Sequence, residues 1–223
     1  MGELATVKDP RKAFPVGKKL KVRVVSVLPH QHTLVCTNKR SLLREDAPVV
    51  CDLTKMKQGD EVVGVVKAYS SCVGEGPFVC EWFGEEAEQL REAGDEYGAK
   101  TGRPRRVGPI DLVATRYGVQ MQGATNIALT KLDVLSYMEK IPLCAHYELS
   151  GEQTDEFPFP VLQQDAKPVV EYMDGWQCDI SGARNWEDLP EAARSYVEYV
   201  EKAIGCHIGF VSVGAERESL IIR

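Results

Sequence analysis

The chain has no apolar run long enough to span a bilayer, and Met1 to Lys8 hold no apolar signal core. Neither a spanning helix nor a cleaved secretory leader is expected. It also has no Cys-x-x-Cys pair. Its seven cysteines, at 36, 51, 72, 80, 144, 178 and 206, are scattered and odd in number, with only four histidines beside them. That spacing offers no zinc site and predicts free thiols in a reducing, cytoplasmic compartment rather than a disulfide framework. An excess of positive charge is missing too: 27 basic residues face 33 acidic ones, a formal net charge of -6. This balance excludes a general nucleic-acid or membrane-surface binder, though not a local basic patch. Internal repeats and low-complexity tracts are absent.

What is present is an ordinary globular composition. The chain has 223 residues, 43% hydrophobic and 27% charged. That is enough to bury a real core in one large domain or two small ones. Against the acidic average stands one basic stretch, Gly98-Ala99-Lys100-Thr101-Gly102-Arg103-Pro104-Arg105-Arg106-Val107-Gly108. It places four cations within the seven residues from Lys100 to Arg106. Glycines let a backbone approach a ligand closely, and arginine forks match phosphate or carboxylate oxygens two at a time. The stretch reads as an anion clamp, or else as a solvated basic loop or an RNA-contacting tail.

The order of elements predicts an α/β fold. Residues 1–15 read as a polar arm. Leu20 to Leu28 and Thr33 to Thr37 read as a hairpin around Pro29 and the His30/His32 turn. Lys39 to Asp46 is charged and helical or loop-like, and Val49 to Leu53 reads as a short strand. Val62 to Lys67 is a near-continuous apolar run and predicts a strand covered on both faces. A Gly/Pro loop follows, up to Phe78. Helices are expected over Glu85 to Ala93, stopping at Gly94, and over Ile110 to Gln120, with Asp111 in its first turn. Strands are expected at Asn126 to Leu129, Leu143 to Leu149, Val169 to Met173, Ile208 to Val213 and Ser219 to Ile222. Between them Ala193, Tyr196, Val197, Val200 and Ile204 fall on one face of a helix that Asn185 or Asp188 would cap. Strands alternating with helices from residue 62 onward define the class.

The strand at Asn126 to Leu129 ends in Thr130-Lys131-Leu132-Asp133. One ionised carboxylate can accept from both the ring N–H and the exocyclic amine of guanine, a pair adenine does not offer. A mismatch leaves a buried polar group unpaired, which costs roughly 1–3 kcal/mol. The stem of Lys131 could lie along such a base. An exposed turn after a strand explains the tetrapeptide as well.

Several motifs in one order then carry a resemblance. They are Gly64-Val65-Val66-Lys67-Ala68-Tyr69, Val73-Gly74-Glu75-Gly76-Pro77-Phe78, Gly98-Ala99 with Thr101-Gly102-Arg103, and Asp111-Leu112. Ala128-Leu129-Thr130-Lys131-Leu132-Asp133-Val134-Leu135 follows, then Gly175-Trp176, Leu189-Pro190, Tyr196, and Ser212-Val213-Gly214 with Arg217. Residues from about 62 to 223 resemble the C-terminal part of adenylosuccinate synthetase. The resemblance implies a P-loop-NTPase-like sheet with added strands. It implies an enzyme of AMP biosynthesis that joins IMP to L-aspartate with GTP as co-substrate. Carried across, Ala99, Lys100, Thr101, Gly102 and Arg103 would hold aspartate, with Arg103 also near IMP. Arg105 would reach GTP. Lys131, Leu132 and Asp133 would hold guanine together with Ser212, Val213 and Gly214.

The departures bear on function. The family's Gly-rich phosphate loop, catalytic aspartate and catalytic histidine have no match here, so no catalytic residue is assigned to this chain. The family uses Mg2+, whose ligands are also expected to be absent. Residues 1–61 form a separate β-rich segment, similar at most to the OB-type repeats of a ribosome-assembly protein. Phe14 is its only aromatic, which argues against RNA binding. Lys100 stands where the family has a small residue, Cys72 where it has Arg, Val79-Cys80 where it has Pro-Thr, and Pro109 where Trp is common. The expected activity is therefore that of a fragment, inactive alone, with IMP, aspartate and GTP as ligands and a homodimer mate or complementing synthetase chain as partner. The alternatives are a non-catalytic guanine-nucleotide or subunit-binding module, and a chimeric fragment with no settled function.

Overall fold

A computed structural model of the chain describes residues 62–158 and 165–223, together with the strand backbones at 23–28 and 33–37. The chain divides into two units, residues 1–60 and 61–223. In the first, β1 (Arg23–Leu28) pairs antiparallel with β2 (Thr33–Thr37), which is the expected hairpin, with a bulge between Val24 and Ser26. The arm at 1–15, the His30/His32 turn, Lys39 to Asp46, the strand at Val49 to Leu53 and the OB-type comparison lie outside the described residues.

The second unit is mixed α/β. Its main sheet has the order β12-β11-β7-β3, from β3 (Val63–Lys67), β7 (Asn126–Thr130), β11 (Ile208–Ser212) and β12 (Leu220–Ile222). β3, β7 and β11 run parallel, and β12 is antiparallel to β11. A second sheet is built on the long β8 (Lys140–Leu149), which pairs with β10 (Lys167–Asp174), β9 (Glu152–Thr154) and the two-residue β6 (Ile110–Asp111). β4 (Ser70–Cys72) pairs with β5 (Arg106–Gly108). The helices are α1 (Glu85–Gly94), α2 (Leu112–Gln122) and α3 (Glu191–Ile204).

α3 forms because its apolar residues recur at helical spacing. Ala193, Tyr196, Val197 and Val200 are fully buried and Ile204 nearly so. Burying each large one is worth about 1.5–3 kcal/mol. The Tyr196 hydroxyl donates to the Ala68 carbonyl at 2.7 Å, so this helix also fixes the chain just past β3. Gly205 ends the helix with φ 68°, a conformation open to glycine.

Four expectations are corrected. β3 is not covered on both faces: it is an edge strand among the described residues, with Val63 45% and Val65 73% exposed. An apolar run alone does not distinguish a central strand from an edge strand. α1 includes Gly94, and the left-handed residue is Asp95, φ 49°. Gly94 is needed for space, since a Cβ there would lie 2.4 Å from the Tyr69 hydroxyl. Asp111 is the N-cap of α2 rather than part of its first turn, accepting from Ala114 N at 2.9 Å. Asn185 and Asp188 make a capping box on a separate short turn, Trp186–Asp188, and Pro190 precedes α3.

Candidate functional site

The three parallel strands are in step. Lys67 pairs with Thr130, and Val211 with Leu129. Their C-terminal ends therefore emerge together, and three turns follow side by side: Ala68-Tyr69, Lys131 to Asp133, and Val213-Gly214. The C-terminal edge of a parallel sheet is where ligands of such folds bind, because strand ends stop there and side chains can converge.

Backbone bonds fix the turn after β7. Thr130 Oγ1 donates to the Val66 carbonyl at 3.2 Å. Lys131 takes a left-handed φ of 60°. Leu132 is fully buried, and its N–H donates to the Ser212 carbonyl at 3.2 Å. Ser212 Oγ donates to the Gly214 carbonyl at 2.8 Å, and Val213 N–H to the Ser219 carbonyl at 3.0 Å. The structure thus joins Lys131, Leu132 and Asp133 to Ser212, Val213 and Gly214, about eighty residues away in sequence. Asp133 Oδ1 is buried and has no hydrogen-bond partner among the described residues. Burial pushes the carboxyl up from its ordinary value, against its own backbone N–H and the Lys131 charge. A buried acceptor without a donor is uncommon and marks a place where one is wanted.

One residue that sequence reasoning missed organises the neighbourhood. Glu96 is fully buried. Its Oε1 accepts from Lys67 Nζ at 2.7 Å and the Tyr69 hydroxyl at 2.6 Å, and Oε2 accepts from Arg105 Nη1 at 2.7 Å. Lys131 Nζ lies 3.6 Å from Oε1 and donates to the Gly94 carbonyl at the end of α1. Burial works against the charge on Glu96, but these donors outweigh it and hold the carboxyl down at about 2. Tyr69 is pushed well up by burial and by its bond to Glu96. Nothing in the sequence marks Glu96 out, since it closes a run of acidic residues that begins at Glu85.

The basic stretch separates into two kinds of cation. The Arg106 guanidinium grips both oxygens of Glu81, donates to the Gly74 and Gly76 carbonyls at 2.8 and 2.6 Å, and lies over the Phe78 ring. It holds the Gly/Pro loop and is not free to clamp a ligand. Arg105 is committed to Glu96. Ala99, Lys100, Thr101, Gly102 and Arg103 sit at an exposed tip. The tip is closed by Gly98 N–H to the Arg103 carbonyl at 2.9 Å, and Gly102 has φ 61°. No ion pair holds Lys100 or Arg103 among the described residues.

A second buried group gathers Cys80, Asp111 and Cys144, whose ligand atoms lie within 4.8 Å of one another. Scattered cysteines gave no sign of it. Asp111 Oδ2 accepts from the Tyr147 hydroxyl and, at 3.7 Å, from the Cys80 thiol, while Oδ1 caps α2. Cys80 is pushed far up by its bond with Cys144 and by burial, so it stays a thiol.

Fold and site together define an α/β protein in which three turns gather at the C-terminal ends of parallel strands. The adenylosuccinate synthetase family profile matches residues 47–221, and the chain belongs to that family. The match starts inside the stretch that was set apart above as residues 1–61. The chain is 47% identical over 167 residues to the adenylosuccinate synthetase of Kineococcus radiotolerans, covering 74% of this chain and 39% of that protein. It is 48% identical over 161 residues to that of Bifidobacterium adolescentis, covering 72% and 38%. Its fold matches a structure of fully ligated adenylosuccinate synthetase from Plasmodium falciparum with TM-score 0.70 and 38% identity, over 74% of this chain and 40% of that one. The chain thus spans under half the length of these relatives. Among the described residues no helix is long and apolar enough to cross a membrane.

Proposed function

We propose that residues 62–223 are the guanine-nucleotide and aspartate-binding part of an adenylosuccinate synthetase. The reaction is the GTP-dependent ligation of IMP and L-aspartate. The observation that carries the reading is the buried, unpartnered Oδ1 of Asp133, beside the Ser212–Gly214 turn. In this reading Asp133 accepts from guanine, with Lys131 and Leu132 on one side of the base and Ser212, Val213 and Gly214 on the other. Arg105 reaches the nucleotide, and its charge offsets that of the transferring phosphoryl group. Ala99, Lys100, Thr101, Gly102 and Arg103 receive the aspartate, and the free cations Lys100 and Arg103 suit a dicarboxylate.

The Mg2+ that the family uses does not fit here. The one group of candidate ligands among the described residues is Cys80, Asp111 and Cys144, and two thiols are poor donors for a hard, oxygen-seeking cation. Substrate positioning without phosphate loop and base leaves out the main catalytic terms, so the chain alone does not turn over. Edge strand β3, with Val65 exposed, supports a larger sheet completed by a complementing synthetase chain.

The test is calorimetric titration of the full chain with GDP, with ADP as control, repeated on Asp133→Ala. Selective GDP binding that vanishes in the variant is expected. Equal binding of both nucleotides would refute the guanine assignment. Adenylosuccinate made by the purified chain alone would refute the inactive reading. The rival reading, a non-catalytic guanine-nucleotide module, predicts the same titration but no activity when the remaining part of a synthetase is supplied.

A further inference from the structure

Arg105 and Lys131 are the cations that the basic stretch and the turn after β7 send toward Glu96. Both are about one-third exposed, and they come from different turns. No hydrogen bond joins them directly among the described residues. Both reach the same buried carboxylate.

The two oxygens of Glu96 have different duties. Oε1 faces the end of β3, where Lys67 and Tyr69 hold it, with Lys131 next in line at 3.6 Å. Oε2 holds Arg105. The backbone reinforces this link, because Arg105 N–H donates to the Glu96 carbonyl at 2.9 Å and closes the intervening loop on Glu96. Three cations thus share one anion that water cannot reach. A cation that leaves the carboxylate makes more of its charge available to the others, because a buried anion has no water to compensate it and Tyr69 offers only a neutral donor.

We propose that Glu96 is a positioning residue that links the basic loop to the guanine-reading turn, so that what engages Arg105 is felt at Lys131. An anionic ligand that draws Arg105 off Oε2 strengthens the hold of Glu96 on Lys131. The linkage is a property of the free protein. Only its consequence for binding rests on the nucleotide reading.

The experiment is trace acetylation of lysines with acetic anhydride, read by mass spectrometry on the full chain without ligand. The reference is Lys140, which is exposed and paired with Asp174. In Glu96→Gln, Lys131 loses its anion, and its labelling should rise roughly two- to fivefold, the range for a charge pair lost at a part-exposed amine. In Arg105→Gln, Glu96 loses a competitor for Lys131, and labelling of Lys131 should fall. Opposite directions are the signature, since a merely structural role would loosen Lys131 in both variants. Labelling that rises in both variants, or does not move in Arg105→Gln, overturns the proposal. Arg105 is about one-third exposed and Lys67 and Tyr69 still hold Glu96 without it, so its variant decides the matter even if Glu96→Gln does not fold.

GDP titration of the same proteins separates the two readings. Glu96→Gln should weaken GDP several-fold and leave the preference over ADP intact. If the wild-type chain binds no GDP but the labelling behaves as expected, the nucleotide reading fails and the linkage stands. If GDP binds and the labelling does not respond, the linkage fails and the nucleotide reading stands.

Discussion

Glu96 and Asp111 are both buried carboxylates, at 0% and 6% exposure, yet they are charged to opposite effect. Glu96 is met by Lys67, Arg105 and Lys131, and is held down at about 2. Among the described residues Asp111 meets neutral donors: the Ala114 and Val113 N–H groups, the Tyr147 hydroxyl and the Cys80 thiol. Burial raises it, and those bonds only partly offset the rise. Burial alone therefore does not set the behaviour of an acid in this domain; the charge of its partners does. The Glu96 group reaches the surface through cations that are about one-third exposed. The Asp111 group is closed, and serves the packing of β6, α2 and β8.

Glu96→Ala should cost about 3 kcal/mol by urea unfolding, the low end for a broken buried ion pair, because Lys67 and Arg105 can turn to water. A cost no larger than that of an exposed glutamate would show that the three cations do not depend on it. Asp111→Ala should cost about 2 kcal/mol, from the lost N-cap and the orphaned Tyr147 hydroxyl, whereas Asp111→Asn should recover most of this. Equal losses in Ala and Asn would mean that the charge of Asp111 matters after all.

The pH dependence sharpens the same contrast. The folded state holds Glu96 below its ordinary value of 4.5, so its contribution is complete above that value and fades as pH falls toward about 2. Asp111 is raised, so its contribution has the opposite sign. It favours the fold most below pH 3.8, and that advantage fades as pH rises past 3.8 toward the raised folded value. Unfolding free energies measured between pH 2 and 6 should therefore show a shallower acid slope in Glu96→Gln and a steeper one in Asp111→Asn. The smallest effect is expected at the loop tip: Lys100→Ala and Arg103→Ala should each change stability by less than about 0.5 kcal/mol, since neither side chain has an ion pair among the described residues. A larger loss in thermal melts would place these cations in the fold rather than free for a ligand.

Much of the fold was legible. The 3.6-residue period named every buried position of α3, and the β-branched runs placed β2, β7, β10 and β11 to within a few residues. β4, β5, β6 and β9 were not legible, because each has only two or three residues and none is an apolar run like the Leu-Ile-Ile of β12. Each exists only where a neighbour supplies the pairing, as β8 does for β6. Of the candidate site, the turns Lys131 to Asp133 and Ser212 to Gly214 were singled out by the motifs, and their role is the proposal made above. The joining bond from Leu132 to Ser212 could not.

By itself the sequence determined the α/β class, the family, the buried face of α3 and the two turns that frame Asp133. These follow from local spacing and local chemistry, which a chain carries wherever it folds. Only the tertiary structure decided that β3 lies at an edge, that Arg106 is bound to Glu81, and that Glu96 is the anion on which Lys67, Arg105 and Lys131 meet. A charge in a sequence has no partner until the chain closes, and for a buried charge the partner decides everything.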